Sequence, residues 1–151
     1  MKLLILLLIV LSTSAYPFPD TPDGSEKLIQ GWIDDLHKAI QSKNKTAIGE
    51  LFNEDAHFAV CEKDQERNRW DDKWRRGDEL VEYLANNGSE AVFYVNAAVG
   101  RRDEIIMALL TVTGLGPEFV STDMRFENTG KLRFAFGEYL ACGWGSVNRL
   151  C

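Results

Sequence analysis

The chain has 151 residues, with 17 Lys and Arg against 23 Asp and Glu and a formal net charge of −6. That length allows one domain with a real core. The acidic balance excludes nucleic acid and anionic membrane as main partners.

Residues 1–15 read as a secretory signal. Lys2 gives a positive start, Leu3 to Leu11 is an unbroken apolar run, and Ser12-Thr13-Ser14-Ala15 is a small-residue cleavage site. The run is too short to span a bilayer. A buried N-terminal helix is the alternative, but Tyr16-Pro17-Phe18-Pro19 would break it at once. Losing Lys2 with the signal takes the net charge to −7. The mature protein is expected to be secreted. Residues 16–24, "YPFPDTPDG", hold three of the four prolines and read as an extended leader.

A helix follows, with Asp23 and Glu26 as a capping pair. Leu28, Ile29, Trp32, Ile33, Leu36 and Ile40 recur at helical spacing and make one apolar face. Asn44 caps a shorter helix that buries Ile48, Leu51 and Phe52. Asn53-Glu54-Asp55 is turn chemistry. From Ala56 the period becomes two, with Phe58 and Val60 on one side and His57, Ala59 and Cys61 on the other.

Residues 63–76, "KDQERNRWDDKWRR", are polar apart from Trp70 and Trp74 and read as a loop, with at most a short strand or turn. Gly77 to Asn86 is a third helix carrying Leu80, Val81 and Leu84. Four β-rich runs then follow, at 90–99, 104–113, 118–127 and 131–142, with short polar or glycine-rich connections. They predict an antiparallel meander. In the third run Val120, Thr122, Met124 and Phe126 face one way, and Ser121, Asp123 and Arg125 the other. Helices first and sheet after give an α+β fold.

Three cysteines, Cys61, Cys142 and Cys151, leave an odd count. In an oxidising compartment that means one bridge and a leftover thiol, or an intermolecular pair. No CxxC or metal-knuckle spacing exists and there are only two His, so no metal site is expected. No cofactor is expected either. Asn44-Lys45-Thr46 and Asn87-Gly88-Ser89 are glycosylation sequons, which matter only in an exported chain.

The order helix, helix, "FNEDAHFAV" strand, charged stretch, short helix and four long strands resembles the nuclear transport factor 2-like superfamily. The superfamily is also called SnoaL-like, or the cystatin-like α+β cone. The likeness covers residues 25–142, with 143–151 as a C-terminal tail, and is most specific at "LFNEDAHF". It looks closest to secreted animal members. The resemblance implies N-terminal helices packed in a curved antiparallel sheet that leaves a conical cavity. It also implies enzymes or binding proteins, many of them dimeric through the sheet. It sets the first and last strands side by side, which favours a Cys61–Cys142 bridge over Cys61–Cys151. A cystatin-type inhibitor would need a QxVxG-like hairpin, which is missing.

Glu54, Asp55, His57 and Cys61 form a corner rather than an active site, because the period of two turns His57 away from Phe58 and Val60. The isomerase branch of the superfamily uses a first-helix tyrosine, and residues 25–43 contain none. Its base would fall near Glu62 or Asp64, both in a charged run. Asp123 and Tyr139, like Tyr94 and Asn96, sit on strands whose facing the sequence leaves open. The sequence therefore favours a non-catalytic binding protein for a small apolar molecule or a protein, with a homodimer through the sheet allowed. Trp70 and Trp74 would rim the cavity, with Trp32, Phe58 and Phe134 as its deeper wall. A cofactor-free isomerase, dehydratase or hydrolase-like enzyme is the alternative.

Overall fold

A computed structural model describes residues 24–101, 104–116 and 120–139. The signal, the leader, Asp23, Cys142, Cys151 and the tail lie outside the described residues. The chain runs α1 (Ser25–Gln41), α2 (Lys45–Gly49), β1 (Phe52–Asp64), β2 (Arg69–Arg76), α3 (Gly77–Asn87), β3 (Val92–Arg101), β4 (Ile105–Thr113), β5 (Val120–Asn128) and β6 (Leu132–Tyr139). One 3₁₀ turn, Gly88–Glu90, links α3 to β3. The helices pack against a single curved, unclosed sheet in the order β2-β1-β6-β5-β4-β3.

Helix α1 buries Ile29, Trp32, Ile33, Leu36 and Ile40, as its periodicity requires. Leu28 departs from the expected face. It is 46% exposed, because it sits at the margin of the apolar stripe in the first turn. Gly24 occupies the N-cap in the left-handed region and supplies no side-chain cap. In α2 the Asn44 carboxamide oxygen accepts from the Ala47 N–H at 3.1 Å, the cap its sequence announces.

The β3–β6 meander is antiparallel throughout. The β1–β6 pair is parallel, with His57 opposite Phe136 and Phe58 opposite Gly137. First and last strands are thus neighbours, as expected, but the sheet is not antiparallel at that seam. Irregularities between Phe52 and His57, Val95 and Ala97, and Arg125 and Phe126 bend the sheet around the helices. Strands β4 and β5 bury Ile106, Ala108, Leu110, Val112, Thr122, Met124 and Phe126 inward. Asp123 and Arg125 take the outer side, as the alternation predicts.

The stretch 63–76 is not a loop. Strand β1 runs on to Asp64 and pairs with β2 in a hairpin that puts Phe58 opposite Arg75 and Glu62 opposite Asp71. Asp64 Oδ1 accepts from the Glu66 and Arg67 N–H groups at 2.9 and 3.0 Å, and Asn68 takes φ 48° to close the turn. The strand was hidden because β2 lies at the sheet edge. There, charged residues replace the apolar alternation and guard the unpaired backbone.

Candidate functional site

The cone is filled. Trp32 lies at its centre, 4% exposed, and its indole N–H donates to the Leu51 carbonyl at 2.9 Å. Its ring meets Phe126 at 4.9 Å, Phe52 at 5.6 Å and Phe134 at 6.1 Å. Phe58 meets Phe134 at 5.8 Å. The space left among Trp32, Leu36, Phe58, Leu84, Phe93 and Phe134 is about 10 Å³. A water molecule needs about that much, and an organic ligand far more. Trp32, Phe58 and Phe134 are therefore packed core, and the open apolar cavity expected of the cone is closed by their rings.

Space opens instead at one end of the cone. A cleft of about 590 Å³ is lined by Glu62 and Lys63 of β1, Trp70 and Arg75 of β2, Tyr83 and Asn87 of α3, and Gly114 to Gly116 after β4. Small-molecule sites fall in the range of ~300–1,000 Å³. Two glycines make the cleft's far wall. Gly114 has φ +81°, and a Cβ there would lie 2.2 Å from the Glu90 carbonyl oxygen. At Gly116 a Cβ would come within 3.0 Å of Cys61 Cβ. Only glycine lets this connection lie so close.

The near wall is an ion-pair network. Arg75, only 16% exposed, grips Glu62 with one terminal nitrogen and Glu79 with the other. Lys73 adds a contact to Glu62 at 3.2 Å. The Arg75 guanidinium also stands 5.3 Å from the Tyr83 ring centroid, a cation–aromatic contact. Its Nε is buried with no hydrogen-bond partner among the described residues. Burial opposes ionisation of Glu62, but hydrogen bonds and charge from Arg75 and Lys73 outweigh it and lower its pKa. Arg75 is raised, chiefly by its hydrogen bond to Glu62. Burial, reinforced by the Glu62 charge, raises the Tyr83 phenol. Glu62 is thus a fixed carboxylate already engaged by two cations, a poor proton acceptor. Tyr83 is a neutral phenol at ordinary pH.

The two tryptophans do not share this site. Trp70 is half-buried and lines the cleft. Trp74, 44% exposed, packs on His57 at 5.5 Å and Phe136 at 5.7 Å on the outer side of the sheet. The unbroken register sets Trp70 opposite Lys63 and Trp74 opposite Ala59, so the two rings share a strand face but meet different neighbours along it. His57 is held there too, with Nδ1 3.1 Å from the Asp55 carbonyl oxygen, far from any joint action with the exposed Glu54 and Asp55. Cys61 is buried, 2% exposed. Asp64 is occupied by its turn. Tyr94 is exposed and Asn96 binds the Thr111 hydroxyl at 2.9 Å. The Tyr139 side chain lies outside the described residues. Arg75, Tyr83 and Asn87 are cleft residues that the sequence reading did not assign to it. The spacing of four that sets Glu79, Tyr83 and Asn87 on one face of α3 was the available signal.

Among the described residues no group of three or more His, Cys, Asp and Glu could hold a metal ion. No described helix is long and apolar enough to cross a membrane.

The NTF2-like domain family matches residues 26–144. The chain belongs to the NTF2-like family. A search among proteins of curated function finds no match. Solved structures agree on the fold. An NTF2-like protein of unknown function from Shewanella oneidensis superposes with a TM-score of 0.56 at 12% identity, covering 76% of this chain and 97% of that one. A cystatin-like domain of unknown function from Nostoc punctiforme gives 0.55 at 10%, covering 79% and 78%. A chain of the yeast deubiquitinase Ubp3 and Bre5 cofactor complex gives 0.52 at 7%, covering 76% and 93%. At such identities the likeness establishes the fold of the NTF2-like domain and no activity.

Proposed function

We propose that this NTF2-like protein is a secreted, non-catalytic binding protein that takes a small, ring-bearing polar molecule in the cleft at the end of the cone. The observation that carries this is the contrast between a core with about 10 Å³ to spare and an adjoining cleft of about 590 Å³. Trp70 and the Tyr83 ring offer apolar faces, and Lys63, Asn87 and the Tyr83 hydroxyl offer polar contacts. A sterol or fatty acid in the cone has no room. Titration of tryptophan fluorescence with a panel of ring-bearing polar compounds tests the reading. Trp70→Ala should weaken binding about tenfold or more, as loss of one contacting ring implies, whereas Trp74→Ala should leave it unchanged. Equal losses in both variants, or a panel without any response, would overturn it. The isomerase or dehydratase alternative needs a free base, and Glu62 is engaged by two cations.

Export rests on residues 1–15, and with it go glycans on Asn44 and Asn87, both exposed. A Cys61–Cys142 bridge is supported by the adjacency of β1 and β6 and by a Cys61 that is not a free thiol.

A second reading has its own observation. The outer face of β3 and β4 carries Tyr94, Val99, Met107 and Leu109 partly exposed, beside a strip holding both signs of charge, Asp123, Arg125 and Glu127. Mixed charge suits a self-complementary two-fold contact with a second copy. Sedimentation of the wild type and of Met107→Lys decides it. A monomeric wild type refutes the dimer.

A further inference from the structure

Asn87 belongs to two features at once. It opens the sequon Asn87-Gly88-Ser89, and it lines the cleft beside Trp70 and Tyr83. It is the last residue of α3, and its side chain is exposed. Its Nδ2 donates to the Tyr83 carbonyl at 2.9 Å, which fixes the amide over the last turn. That bond uses one of the two Nδ2 hydrogens and leaves the other replaceable. Gly88 is pinned beneath, where a Cβ would meet Ile40 at 3.1 Å. The attachment point is therefore rigid. Asn44, the other sequon, caps α2 in the open and does not line the cleft.

We propose that a glycan on Asn87 folds back over the cleft, its first sugars lying across Trp70 and Tyr83, and so controls access to the binding site. In attachment, Nδ2 attacks C1 of a lipid-pyrophosphate-linked oligosaccharide. The C–N bond forms, the C1–O bond to the lipid pyrophosphate breaks, and Nδ2 loses one proton. The apolar C–H face of a pyranose suits the flat rings, and its hydroxyls suit the polar lining. This inference rests on the chain being exported and on the cleft being the site.

The test uses full-length protein from a glycosylating, secreting cell line. Acrylamide quenching of tryptophan fluorescence is measured before and after enzymatic removal of the glycan. Quenching should rise on deglycosylation, and the rise should vanish in Trp70→Phe and in Ser89→Ala, which keeps the Asn87 amide but destroys the sequon. Peptide mapping of the same material must place the glycan on Asn87. An unglycosylated Asn87 in secreted protein, or a glycan whose removal leaves quenching unchanged, overturns the proposal. The ligand panel on Ser89→Ala separates it from the binding reading. Ligand binding with no glycan-dependent quenching leaves the cleft as a site and ends the cover. Quenching that responds without any ligand binding keeps the cover and ends the small-molecule site.

Discussion

Phe134→Ala should convert the filled cone into an open one. The ring is 1% exposed and meets Phe52, Phe58, Phe126 and Trp32 at 5.2 to 6.1 Å between centroids. Truncation removes about 2–3 kcal/mol of apolar transfer energy. It also leaves a void on the order of 100 Å³, which at ~24 cal/mol per Å³ adds about 2 kcal/mol. The expected loss is therefore about 4–5 kcal/mol, read from urea unfolding of the purified protein. The new void joins the residual 10 Å³ among the same rings. Benzene should then raise the melting temperature of the variant and leave the wild type unmoved, since a dry apolar void of that size binds it. Where Phe134→Ala is too unstable to purify, Phe134→Leu costs less and opens a smaller void, with a smaller benzene response. A wild type stabilised by benzene as much as the variant would refute the reasoning, because the cone would already be open.

Further outcomes follow from the cleft and the chain path. Glu62→Gln should cost about 1 kcal/mol at neutral pH, a charge-assisted hydrogen bond reduced for a carboxylate 32% exposed. Because the folded pKa of Glu62 is lowered, this stabilisation is present above the usual 4.5 and is lost as pH falls through the folded value, so denaturant melts of wild type and variant should converge in acid. Tyr83 has the opposite sign. Its raised pKa means that stability is full below about 10 and drops as pH climbs past it, and Tyr83→Phe should flatten that alkaline loss in thermal melts. Gly114→Ala sets a Cβ 2.2 Å from the Glu90 carbonyl oxygen at φ +81° and should cost more than about 2 kcal/mol by calorimetry. Non-reducing peptide mapping should join Cys61 to Cys142. Reducing that bridge should cost about 4 kcal/mol for a loop of roughly 80 residues, and a Cys61–Cys151 peptide would refute the pairing.

Elements carrying their own periodic signal were legible in the sequence. Ile29, Trp32, Ile33, Leu36 and Ile40 define the buried face of α1 without reference to any other segment. Thr122, Met124 and Phe126 alternate with Asp123 and Arg125 in the same self-sufficient way. What failed needed a partner to be visible. In β2 the side facing the helices holds Arg75, which is half-buried only because Glu62, Glu79 and Tyr83 come from elsewhere to meet it. No window of that sequence contains the reason for its being a strand. The parallel β1–β6 seam is of the same kind, since a strand's periodicity is identical whichever way its neighbour runs.

The filling of the cone is a stricter case, because it is a matter of volume and not of pattern. Trp32, Phe58 and Phe134 have the same sequence signature whether they line an empty pocket or close it. Their ring-to-ring distances decide it. Once they close the interior, the described groups that can meet a ligand at the cone's end include those the network already holds, Glu62, Arg75 and Tyr83, together with Lys63, Trp70 and Asn87. A paired network is costly to rebuild and cheap to leave in place. A ligand bound there as proposed would therefore use ring faces and rim polar groups while the ion pairs stay made. A chemistry that needed Glu62 to accept a proton would first have to strip it of both its cations. The same residues that make the cleft rigid are thus the reason for proposing a receptor surface there rather than a reaction centre.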